Sequence, residues 1–364
     1  MAATESLAEA GRLMTVCNSC RYCEGLCAVF PAMELRREFT DGDLNYLANL
    51  CHGCGACFYD CQFSPPHAFN VNVPRVLAQV RSESYAHYAR PRALAAAFER
   101  NGLAIGLAIT ISIGVFLAAM MAANDPAAMF GVQTGPGAFY RLMPHAAMAS
   151  LFGAAFLFGL AALGFGLRAF WRDIGEPGAT LRQPASLLQA TRDTAGLRYL
   201  DGGGVGCMNE NEVPADRRRL YHHLTFYGFL LCFASTSTAT LYHYLLGREP
   251  AFPWWDAPVV LGTAGGIGLV IGSAGLLRAK VRRDPALREP GGRSMEVAFI
   301  VTLFLLGATG LLLLLLRATP AMGTLLAVHL GTVFGFFVTM PYGKFVHGIY
   351  RYAALVRFAR ETRA

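Results

Sequence analysis

The sequence predicts an all-α protein in two parts, a cysteine-rich helical domain and a six-helix transmembrane bundle. Three observations predict it. Residues are 54% hydrophobic and only 15% charged, whereas an average soluble domain carries about 25% charged residues. Eight of the ten cysteines fall between Cys17 and Cys61. Beyond residue 97 the chain is a series of apolar runs near the ~20 residues that cross a bilayer. Mean hydropathy is +0.38. This composition excludes a disordered chain and a disulfide-stapled secreted module.

Residues 1–97 form the first domain, with mixed charge and no long apolar run. The start, MAATESLAEAGRLMTV, has no apolar core of a signal peptide, so this domain is expected in the cytoplasm. Two copies of one motif follow: Cys17-x2-Cys20-x2-Cys23-x3-Cys27 and Cys51-x2-Cys54-x2-Cys57-x3-Cys61. Three close thiolates wrap three corners of an iron–sulfur cubane and a fourth closes it. In doubled motifs of the ferredoxin type the fourth cysteine serves the other cluster. Cys17, Cys20, Cys23 and Cys61 are therefore expected to hold one [4Fe–4S] cluster, and Cys51, Cys54, Cys57 and Cys27 the other. Ala28 and Gln62 stand where a proline usually follows the fourth cysteine. Zinc generally takes two separated ligand pairs, which these runs do not resemble. His52 and His67 read as hydrogen-bonding or surface residues. Cys207 and Cys232 are isolated, and Cys232 reads as a small apolar filler in a span.

Residues 98–364 hold six spans, near 102–123, 145–168, 223–246, 257–277, 296–316 and 321–342, none with a charge at its middle. Segments on the side of the two termini carry 28 Lys and Arg; the three opposite loops carry only Arg141, Arg248 and Arg317. The positive-inside rule then puts both termini in the cytoplasm. The formal net charge of +7 reports this topology, and no nucleic-acid motif is present. The cytoplasmic loop 169–222 carries Asp201-Gly-Gly-Gly-Val-Gly-Cys207 and Arg217-Arg218-Arg219. Without a strand–turn–helix context this is not a nucleotide loop. It reads as a docking segment against the N-terminal domain or a partner.

Histidine is rare inside bilayers and marks function there. The second part has His145, His222, His223, His243, His329 and His347. His329 and His347 lie 18 residues apart, which on one continuous helix gives a shared face and ~27 Å of rise. His222 and His243 bracket the third span. The antiparallel third and sixth spans thus offer one histidine at each depth. This predicts a di-haem cytochrome b bundle with b-type haem (one or two), ligated by His222 with His347 proximally and His243 with His329 distally. His145 is a candidate substitute for one distal ligand. Lys344, near His347, reads as an interfacial anchor.

The runs CNSCRYCEGLCAVFPAMELRREF, LANLCHGCGACFYDCQFSPPHAFNVNVPR, DGGGVGCMNE and RRLYHHLTFYGFLLCFASTSTATLYHY resemble the tricarballylate-utilisation protein B (TcuB) group, also called the CitB/CobZ family. The likeness covers nearly the whole chain. It implies a membrane electron carrier that reoxidises the reduced FAD of a separate dehydrogenase on the cytoplasmic face and passes electrons to the quinone pool. Relatives in that family assist corrin ring contraction, which stays open as an alternative, as does a membrane redox sensor.

Overall fold

The computed structural model describes residues 4–289 and 291–363. The N-terminal domain consists of α1 (Glu5–Cys20), α2 (Val29–Glu34), α3 (Asp41–Leu50), α4 (Ala56–Tyr59) and α5 (Val73–Tyr88). Local chemistry sets where these helices begin. Thr4 accepts from the Leu7 N–H at 3.3 Å, and Thr40 and Asp43 form a reciprocal capping box on α3. Asn72 caps α5 just ahead of Pro74, where a missing N–H costs nothing. Leu7, Leu13, Phe30, Leu47 and Leu77 then close one buried core with Tyr46 and Tyr85.

Six helices are long and apolar enough to cross a membrane, as a multi-pass membrane protein requires. They are α6 (Asn101–Ala123), α7 (His145–Asp173), α9 (Arg217–Leu246), α10 (Ala257–Arg282), α11 (Arg293–Leu315) and α12 (Met322–Thr339), with the short α8 (Pro184–Ala195) between the second and third and α13 (Val346–Glu361) at the end. Large apolar side chains such as Leu103, Ile111, Leu157 and Phe165 lie exposed on their outer faces, as lipid contact demands. No strand forms among the described residues; a single bridge pairs Cys207 with Ala215.

The closest packing in the bundle joins α9 and α10 along a glycine seam. A Cβ on Gly268 would stand 2.9 Å from the Leu224 carbonyl oxygen, and one on Gly272 2.6 Å from the Thr225 nitrogen. Small residues let spans approach in the absence of a hydrophobic drive between them.

One sequence expectation fails here. His329 and His347 do not share a continuous helix. The sixth span ends at Thr339, a 3-10 turn runs over Met340–Tyr342, and α13 begins at Val346. Pro341 cannot donate to the helix ladder, and Gly343 follows it in an extended conformation. His347 therefore sits on α13, which turns back across the N-terminal domain.

That domain is fixed to one end of the bundle by buried ions. Arg36 pairs with Asp43 and Glu361 at 2.7 Å each, and Arg357 with Asp43 at 3.2 Å and Glu361 at 2.8 Å. Arg360 pairs with Glu176 at 2.6 Å. Tyr88 donates to Asp173 at the end of α7. Arg218 at the start of α9, Arg283 just past α10 and Arg351 of α13 reach the Cys51–Gly53 loop, while the end of α7 meets α3 and α5.

Candidate functional site

The eight motif cysteines divide between two cavities. Cys17, Cys20, Cys23 and Cys61 line one of about 240 Å³, with Cys57 at its wall. Cys27, Cys51, Cys54 and Cys57 line the other. The fourth thiol of each motif thus lies with the first three of its partner. The first cavity is the outer one: Cys20 is exposed and Tyr22 beside it is 73% exposed. Cys51 and Cys54 are buried.

Loop geometry holds the second set. Gly55 has φ +92°, and a Cβ there would lie 2.0 Å from the Met208 carbonyl oxygen, so only glycine fits. Four guanidiniums grip the backbone from His52's side. Arg81 donates to the Cys51 carbonyl at 2.7 Å and Arg351 at 2.8 Å. Arg218 donates to the Gly53 carbonyl at 2.7 Å and Arg283 at 3.1 Å. The glycine-rich loop packs on the same region: the Cys207 thiol donates to the Cys54 carbonyl at 3.1 Å and accepts from Arg218 at 3.3 Å. The loop read as a docking segment thus docks on the N-terminal domain.

Among the described residues, no three His, Cys, Asp or Glu side chains converge on one ion-sized point. The thiols instead surround cavities, as a group containing several irons needs. Burial, reinforced by neighbouring thiols, pushes Cys17 and Cys23 up to about 12, and Cys27 and Cys57 well above the usual thiol range. Such thiols keep their protons until a cation replaces them. The donor set fits iron–sulfur clusters.

A cavity of about 540 Å³ adjoins the second thiol set. His222 and His347 face each other across it, ring centroids 6.2 Å apart and planes at 72°. An imidazole nitrogen binds a first-row metal at about 2 Å, so two rings on opposite sides of one iron have centroids about 6 Å apart. His347 Nδ1 donates to the Lys344 carbonyl, which leaves the Nε2 lone pair free. Burial lowers the pKa of His347 and keeps the ring neutral. Among the described residues, His222 Nδ1 is buried with no hydrogen-bond partner. Phe226, Phe229, Phe299 and Leu303 supply apolar walls, and Arg81 and Arg351 supply cations. Two facing imidazoles with apolar walls and nearby cations are the kind of lining that would fit a haem.

His52 reads in the sequence as a hydrogen-bonding or surface residue, and it does hydrogen-bond, but it also borders the site. Its Nδ1 donates to the Leu50 carbonyl at 2.9 Å, and it lines both the second thiol cavity and the histidine cavity. Its position next to Cys51 was the available signal. The arginine grip was missed, because Arg81, Arg283 and Arg351 are dispersed in sequence.

The distal histidines are arranged otherwise than expected. His243 stacks on His145, ring centroids 3.8 Å apart and planes at 26°, within an edge of Tyr140 and Tyr244. His329 Nδ1 shares a hydrogen bond of 2.9 Å with the Thr309 hydroxyl, its ring lying over Gly310. No ring contact joins His243 to His329 among the described residues. The reason is packing: α12 sets His329 against α11, while the end of α9 turns His243 toward the start of α7. Two rings stacked at 3.8 Å leave no room for a porphyrin between them.

Residues 96–364 match the family model described as citrate utilization protein B, and residues 10–87 match that of its Fer4-like domain. The chain belongs to the citrate utilization protein B family. A relative from Escherichia coli, "Citrate utilization protein B", is 46% identical over 364 residues, covering 99% of this chain and 94% of that protein. No solved structure matches. The family's Fer4-like domain agrees with an iron–sulfur electron-transfer role in citrate-related utilisation. The matched descriptions name citrate.

Proposed function

We propose that the protein is a membrane electron carrier that reoxidises the reduced FAD of a separate dehydrogenase, of the tricarballylate or a related tricarboxylate type, and delivers the electrons to membrane quinone. The observation that carries this reading is one of continuity. Two crossed thiol cavities lie in series, and His52 lines both the inner one and the cavity faced by His222 and His347.

Cys17, Cys20, Cys23 and Cys61 would hold one [4Fe–4S] cluster and Cys27, Cys51, Cys54 and Cys57 the other. His222 and His347 would hold a b-type haem. Such groups, when bound, supply stations that accept and release one electron at a time. The chain's own work is to fix and insulate them. Arg81, Arg218, Arg283 and Arg351 immobilise the Cys51–Gly53 backbone and offset negative charge in a buried place. The Lys344 carbonyl sets the tautomer and aim of His347. Phe226, Phe229 and Phe299 exclude water from the imidazoles. The exposed rim at Cys20 and Tyr22 is where a flavoprotein would approach. The Lys and Arg asymmetry supports placing this face in the cytoplasm.

The test is to mix the purified protein anaerobically with a candidate FAD-dependent tricarboxylate dehydrogenase and add candidate tricarboxylates. The proposal expects the haem alpha band to rise only with the partner's substrate. An unchanged spectrum with a flavoprotein that is itself reduced by that substrate contradicts it.

A further inference from the structure

The carrier reading leaves two features of the bundle unused. One is a part-buried ion triad. Glu296, one turn into α11, pairs with Lys280 of α10 and with Lys344 at 3.1 Å. All three line the cavity that holds His347. Ionisable groups set among spans are expensive and mark ligand or ion sites. The other is a groove of about 440 Å³ between α10 and α11. Val281, Val301 and Phe304 on its rim are exposed, on helices whose outer faces meet lipid. Groove and histidine cavity share Ser273 and Ile300. The lipid-side groove thus abuts, at these two residues, a cavity that carries part-buried ammonium donors beside a candidate haem ligand.

We propose that a quinone binds across this junction, with the head group against Lys280 and Lys344 and the tail lying in the α10–α11 groove. The inference rests on the carrier reading and names where its acceptor binds. The occupant follows from the chemistry of the two ends. Leu277, Val301 and Phe304 suit an isoprenoid chain. Lysine offers three donors and no acceptor, which suits a ring carbonyl that can only accept. Glu296 holds the two ammonium groups together, so their donors are fixed before a ligand arrives. The reaction balances: a quinone takes two electrons from the carrier and two protons from the aqueous side, and both C=O groups become C–OH. Arg278 and Arg282 also border the groove, and a phospholipid phosphate there is the rival occupant.

The test uses the full chain in detergent. Binding of 2-heptyl-4-hydroxyquinoline N-oxide, a fluorescent quinone analogue, is titrated by quenching, with the visible spectrum recorded on each sample. Wild type is expected to bind. Lys280→Met and Ile300→Trp, the latter blocking the junction, should each weaken binding at least tenfold while the cluster and haem spectra persist. Arg278→Gln should bind as wild type does. Spectrally intact protein that does not bind the analogue overturns the inference and spares the carrier reading. So does wild-type affinity in both Lys280→Met and Ile300→Trp, or loss confined to Arg278→Gln. A preparation with neither cluster nor haem signals sinks the carrier reading and this site with it.

Discussion

His222 and His347 confront one another across a single cavity, centroids 6.2 Å apart, although one lies at the start of the third span and the other beyond the sixth. The pairing predicts a shared fate. His222→Ala and His347→Ala should each remove the same b-type band from the dithionite-reduced spectrum. His243→Ala and His329→Ala should leave that band in place, because His243 stacks on His145 and His329 bonds Thr309.

The crossed thiol cavities predict a reciprocal pattern. Cys61→Ser should disturb the site of Cys17, Cys20 and Cys23, and Cys27→Ser that of Cys51, Cys54 and Cys57. Each variant should lose up to about four non-haem irons of about eight, as two cubanes imply. Electron paramagnetic resonance on the two variants should show complementary remaining signals.

How much of this was legible in the sequence varies by residue. Motif spacing and span parity point to the cysteine groupings and to the His222–His347 pair, and the structure brings those side chains together; that they hold clusters and haem is the proposal. The route to His347 was misjudged. Its phase with His329 assumed an unbroken helix, yet Pro341 and Gly343 end one helix and let α13 begin in a new direction. The distal pair failed for a different reason. Span parity fixes depth but not azimuth, and the azimuth of α9 turns His243 to α7. The grip of Arg81, Arg218, Arg283 and Arg351 on one loop could not be read at all, since it depends on four elements meeting in space.

The glycine seam predicts a steric penalty. Gly268→Val or Gly272→Val drives a side chain into the α9 backbone and should cost about 1–3 kcal/mol, the usual range for overpacking. Thermal unfolding in detergent measures it. Gly114→Val, where no atom lies within 4 Å of a Cβ, is the control and should melt near wild type.

Lys344 predicts a pH dependence. Burial lowers its pKa from 10.5 to about 8. Between those values the unfolded chain holds a proton that the folded chain has released. Stability therefore rises with pH across that window. Lys344→Met should flatten the rise, read from denaturation midpoints between pH 8 and 10.5.

The most direct test of the central claim is metal and optical analysis of the purified full chain. Two cubanes beside a histidine-bound porphyrin predict about eight non-haem irons per chain, together with a Soret peak and a b-type alpha band that sharpens on reduction. A colourless protein with stoichiometric zinc on these thiols would contradict the account.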